Sequence, residues 1–146
     1  MNETRTKIIQ NLNTLLQGCH MISNTFKEYL EQTESINLKS ELNHALTIFH
    51  HHEIALINHI HLLDATATIQ IQLSIMMMEF FEKIKAQFAT HDRERLGYAI
   101  SCIDMGLKSC QDFTSTHCME PPEILGPVTI MEKDYKELYK RLIELR

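Results

Sequence analysis

The stretch Leu38-Lys-Ser-Glu-Leu-Asn-His-Ala-Leu-Thr-Ile-Phe-His-His-His-Glu-Ile-Ala-Leu-Ile-Asn-His-Ile-His-Leu-Leu63 decides the fold. Its apolar positions Leu38, Leu42, Ala45, Phe49, Leu56, Ile60 and Leu63 step by threes and fours, the period of one helical face. His52 takes the slot between Phe49 and Leu56, and six of the nine histidines fall within the stretch. A bundle must therefore pack around a helix with imidazole in its seam. Whether that imidazole binds a metal becomes the main functional question.

Working outward, the segment before it carries Ile8, Leu12, Leu15, Cys19, Ile22, Phe26 and Tyr29 at the same spacing, over a helix expected to end near Gln32. Thr33-Glu34-Ser35 is a tight connection, with Ser35 placed to cap the second helix. A short link between two long helices forces an antiparallel hairpin. Equal helix rise then sets position k of the first helix level with 67 − k of the second, roughly, so Cys19 should face Ile48 to His52.

Beyond the stretch, Asp64-Ala-Thr-Ala-Thr68 breaks the pattern, and Thr66 or Thr68 is expected to cap a third helix reaching about Thr90. Its middle, Leu73-Ser-Ile-Met-Met-Met-Glu-Phe-Phe81, is apolar on more than one face. It fits either a central bundle helix or a helix whose second face meets a partner subunit. A fourth helix after Thr90-His91-Asp92 carries Leu96, Ala99, Ile103, Gly106, Cys110 and Phe113 on one side. Mid-helix Gly106 costs about 1 kcal/mol relative to Ala, which predicts a close helix–helix approach there. Glu120-Pro-Pro-Glu123 breaks the chain again, and Ile124, Val128, Met131, Tyr135, Leu138, Leu142 and Leu145 form a last stripe. That stripe crosses Pro127 in phase, so the last helix should begin before it.

Composition bounds the function classes. The 146 residues are expected to form a single domain, residues 1–146, with 44% hydrophobic and 23% charged residues. A net charge of −5, without a basic run, speaks against nucleic acid as a partner. Protonating all nine histidines would carry that charge to +4, which permits a pH-responsive surface. The most apolar run, Leu73 to Ile84, is interrupted by Glu79, Glu82 and Lys83 and falls short of the ~20 residues of a membrane span. No basic segment followed by an apolar one opens the chain, so no signal peptide is expected. Cys19, Cys102, Cys110 and Cys118 form no CxxC pair and read as free thiols in a reducing cytoplasm.

With the helices placed, Asn11-Leu-Asn-Thr-Leu-Leu16, Thr25-Phe-Lys-Glu-Tyr-Leu30, Leu38-Lys-Ser-Glu-Leu42, Asp104-Met-Gly-Leu107 and Glu132-Lys-Asp-Tyr135 together resemble an uncharacterised bacterial family of ferritin-like four-helix bundles, a domain of unknown function. The resemblance implies an all-α, up-down bundle of four core helices, with residues 65–90 as a helical crossover spanning ~38 Å.

Ferritin-like di-iron sites need an inward Glu from each of two helices and a Glu-x-x-His from each of the other two. Glu41-Leu-Asn-His44 is the one forward match, and it flanks its stripe. Level with it the first helix offers Ser23 to Phe26, without a carboxylate. The fourth helix puts Ile103 and Gly106 inward, and the last has Asp134-Tyr-Lys-Glu137 where a carboxylate–histidine pair would stand. A complete di-iron centre is not expected.

The histidines need separate weighing. His50, His51 and His52 fan out ~100° apart, and no two histidines stand at i,i+3 or i,i+4. His44/His51 and His52/His59 share faces at i+7 but lie ~10.5 Å apart in rise. His50-x-x-Glu53 is a two-ligand pair of low specificity. The plain reading makes His52 a satisfied seam histidine and leaves the others solvated. The competing one is a Zn²⁺ or Fe²⁺ site drawn from Glu41, His44, His50, His52 and Glu53, completed by another helix or subunit.

Two functions follow. The first is a non-enzymatic structural, interaction or stress-associated bundle with a degenerate di-metal site and no cofactor, homodimeric through its Met/Phe-rich third helix. The second is a zinc- or iron-binding, storage or sensing protein.

Overall fold

The computed structural model describes residues 3–63, 65 and 73–146, and among them it contains five helices and no strand. They are α1 (Glu3–Gln32), α2 (Ile36–Leu62), α3 (Ile75–Ala86), α4 (Asp92–Thr116) and α5 (Pro122–Ile143). Every member of the predicted α1 stripe is buried, as are Leu38, Leu42, Ala45, Phe49, His52, Leu56 and Ile60 of α2. The α4 stripe and Val128, Met131, Tyr135, Leu138 and Leu142 of α5 complete the core. Each Leu, Ile, Val, Phe or Met among them contributes about 1.5–3 kcal/mol by leaving water.

Ser35 caps α2 as its position predicts, its Oγ accepting from Leu38 N at 3.2 Å. The hairpin register is also as expected: Cys19 Sγ donates to Phe49 O at 3.6 Å and Arg5 Nη2 to Leu63 O at 2.6 Å. A feature invisible locally locks the turn from outside. The Asp92 carboxylate, opening α4, accepts from Ser35 N at 2.7 Å and Glu34 N at 3.2 Å while pairing with Arg95 at 2.9 Å.

Cross-helix bonds fix the topology. His52 meets Asp134, Glu41 meets Arg141 and His59 meets Ile124, so α2 and α5 run antiparallel. Asn11 meets His117 at one end and Glu34 meets Asp92 at the other, so α1 and α4 do too. Since α2 and α4 both run opposite to α1, the chain must return the length of the bundle between them, which is the crossover geometry.

The crossover differs from expectation. Its helix starts at Ile75, where Ser74 Oγ accepts from Met77 N at 3.2 Å, and stops at Ala86 rather than near Thr90. Twelve residues give about 18 Å of helix rather than ~38 Å. The expected caps Thr66 and Thr68 lie outside the described residues. Nor is α3 a central bundle helix. It is an outer strap that buries only Met77 and Phe81, because the four longer helices already close the core. Gly18 makes the seat: a Cβ there would lie 3.0 Å from Met77 Cε. At the other break, α5 begins at Pro122 and carries Pro127 inside, as the phase of its stripe predicts.

Candidate functional site

The waist of the bundle is built around Tyr135. Its ring is 1% exposed and packs against His52 (centroids 5.4 Å apart) and Phe49 (6.0 Å). Gly106 admits it: a Cβ at that position would stand 2.6 Å from Tyr135 Cζ. The close approach predicted at this glycine is therefore an approach of a phenol ring to α4. Cys19 lines the same small cavity as Tyr135. Burial pushes the Cys19 thiol far up, with Glu53 adding to the rise, and burial does the same to Cys110 and Tyr135. Cys102 is raised to about 12 by burial alone. All three thiols are protonated at neutral pH. Cys118 is the exposed one.

The sequence-selected residues scatter around this waist. His52 is 3% exposed, and its Nε2 donates to Asp134 Oδ2 at 2.9 Å. Its Nδ1 is buried without a hydrogen-bond partner. Glu41 is committed to Arg141, which grips both carboxylate oxygens at 2.8 and 3.2 Å. Glu53 Oε1 stands 3.5 Å from His20 Nδ1 across the α1–α2 seam. His44 is half-buried and His50 is exposed. Among the described residues, no three His, Cys, Asp or Glu side chains stand together so as to hold a metal ion.

One histidine of the α2 cluster, His59, departs from the solvated reading, and a buried one, His117, lies outside that cluster. His59 donates from Nε2 to Ile124 O at 3.0 Å, because it shares the His52 face at i+7 and that face meets α5. His117, just past α4, accepts from Asn11 Nδ2 at 2.9 Å. The i+7 spacing was the available signal for the first. For the second there was none, since its partner lies on another helix far away in sequence.

Burial lowers the His52 pKa from 6.5, against the hydrogen bond and charge of Asp134. His117 is lowered by burial as well. A histidine depressed in the fold binds its proton more readily when unfolded. Its stability contribution is complete above the unfolded value of ~6.5 and falls as the pH drops below that, levelling off beneath the folded value. Urea midpoints are therefore expected to fall between pH 7.5 and 5.5, with His52→Gln and His117→Gln each flattening the slope. A slope unchanged in both variants would refute the assignment.

The donors here do not fit a ferritin-like di-iron centre. Such a cage needs carboxylates projecting inward from all four helices, whereas among the described residues no Asp or Glu is buried. Tyr135, Cys19, Cys110 and Phe49 take the inward positions instead. Among the described residues, no helix is long and apolar enough to cross a membrane.

No protein-family model and no curated protein matches the chain. Solved structures do. A two-domain protein from Anabaena variabilis, with dj-1/thij/pfpi-like and ferritin-like domains, matches at TM-score 0.77 and 17% identity over 99% of this chain. The chain spans only 37% of that protein's length. A ferritin-like, diiron-carboxylate protein from Bacillus anthracis matches at TM-score 0.76 and 20% identity, over 99% of each chain. The dodecameric thioferritin of Bacteroides fragilis, a bacterioferritin-related protein, matches at TM-score 0.79 and 14% identity over 96% of this chain and 84% of its own. Identities this low carry the fold and nothing finer: the chain folds as a ferritin-like helical bundle.

Proposed function

We propose that the chain is a non-enzymatic structural, interaction or stress-associated module, one domain in a reducing cytoplasm, built on a ferritin-like bundle whose di-metal site is degenerate. One observation carries this reading. The waist is plugged by Tyr135 seated on Gly106, and the nearby carboxylates Glu53 and Asp134 stand on its flanks, engaged with His20 and His52. Adding ferrous iron and oxygen to untagged protein tests it. No catalysed iron oxidation and no coloured ferric product are expected, and rapid turnover with two irons bound would overturn the proposal.

A homodimer is part of the proposal. The strap leaves Ile75 (75%), Met78 (45%) and Met76 (37%) exposed. The dodecamer named for the Bacteroides fragilis protein supports self-association. Light scattering should give twice the chain mass of 17.0 kDa, falling to the single mass in Met78→Glu. A strict monomer at high protein concentration would remove this part.

The alternative, Zn²⁺ or Fe²⁺ on the α2 cluster, draws on the meeting of Glu53 with His20, two ligand atoms from two helices. Glu41 adds little support because Arg141 occupies it. Elemental analysis of untagged protein separates the readings, with less than about a tenth of an equivalent of zinc or iron expected.

A further inference from the structure

We propose that the small cavity between α1, α3, α4 and α5 is a binding site for a soft monovalent cation, Cu(I), held by Cys19 and Cys110 together with the thioethers of Met77, Met105 and Met131. The proposal goes beyond the reading above and rests on it in one respect, that the waist does not cage two irons. Five of the twelve residues lining this cavity carry sulfur, in a chain of 146 residues with eight Met and four Cys. The sulfurs arrive from four separate helices, and all five side chains are buried.

Size limits the guest. The cavity measures about 10 Å³, room for a single water-sized body. A bare ion fits, whereas a hydrated ion or an organic molecule does not. Ligand chemistry then selects the ion. Three of the five sulfurs are thioethers, which suit Cu(I); Zn²⁺ takes thiolates too, but its four-ligand sites are completed by further thiolates, imidazoles or carboxylates, and none beyond the two thiols lines this cavity.

Charge balance agrees with the apolar walls. Cu⁺ displaces the proton of one thiol, forming a Cu–S bond and releasing H⁺ to solvent without any change of oxidation state. One thiolate and one Cu⁺ leave the site neutral, and the thioethers add donors without charge. Tyr135 lines the cavity with Cys19, and its hydroxyl is a donor for the resulting thiolate. Because burial holds the Cys19 and Cys110 protons tightly, affinity should rise with pH. Access is simple: the cavity lies beneath the strap, which reaches the core through Met77 and Phe81.

The test is an anaerobic titration of the untagged full chain with Cu(I), buffered by bathocuproine disulfonate, and with Ag(I) as a redox-inert counterpart. One equivalent is expected to be retained against the chelator, with an all-sulfur shell by X-ray absorption. Cys19→Ser and Cys110→Ser should each weaken binding by at least about tenfold, the loss that even outer-shell changes cause at metal sites. Met77→Leu, which nearly conserves volume, should weaken it while leaving the fold intact even if a cysteine variant unfolds. Cys118→Ser should change nothing, since that thiol is exposed and away from the cavity. No retained copper, a nitrogen or oxygen shell, undiminished binding in Met77→Leu and in a combined Cys19→Ser, Cys110→Ser variant, or loss in Cys118→Ser would each overturn the proposal. Iron binding is scored in its own titration, so failure of this site and failure of the functional reading are told apart.

Discussion

Tyr135→Ala is expected to lose about 3–5 kcal/mol of folding stability, the range for truncating a large buried aromatic ring. The ring fills the waist, touches Phe49 and His52, and has no solvent into which a replacement could relax. A cavity of that size would open where the four long helices meet. Tyr135→Phe keeps the ring and deletes only the hydroxyl, so its cost should be no more than about 1 kcal/mol. Urea unfolding monitored by circular dichroism measures both. A loss below 1 kcal/mol for Tyr135→Ala would mean that the waist can collapse around a gap.

Gly106→Ala should destabilise, against the ordinary expectation for a helix interior. There the replacement gains about 1 kcal/mol from helix propensity. Here the new Cβ would meet Tyr135 Cζ at 2.6 Å and Cε1 at 2.7 Å. The ring cannot retreat, since the space beside it is about 10 Å³. Overpacking of this kind costs about 1–3 kcal/mol, so a net loss on the order of 1–2 kcal/mol is expected. The two predictions are coupled. Combining Gly106→Ala with Tyr135→Leu should recover much of the loss, and the double-mutant cycle reads the contact directly. A stabilised Gly106→Ala protein would show that the ring sits elsewhere.

The low-stability element is the strap. With two buried side chains holding a twelve-residue helix, α3 should exchange its amide hydrogens well before α1 or α4 does. That difference would also give a cation its way in.

What the sequence determined by itself is the set of long helices, their faces and their hairpin register. The reason is that these are local quantities. A 3.6-residue period names the buried face, Ser35 and Glu120-Pro-Pro-Glu123 mark ends, and rise per residue sets which levels of α1 and α2 coincide. The poverty of inward carboxylates was legible on the same terms, because an inward position can be read one helix at a time.

Only the tertiary structure decided what those faces do to one another. His52 with Asp134, Glu41 with Arg141, and the Ser35 turn with Asp92 join residues that no short pattern connects. Each pairing depends on how far one helix is rotated and slid against the next, which an apolar stripe fixes only to within about a turn. The sulfur-lined cavity belongs to the same class. Its five sulfurs sit on four helices, and in the sequence each is one more apolar residue. The length of α3 was also beyond pattern: it begins at the Ser74 cap and ends at Ala86, short of the Thr90 that its sequence suggested.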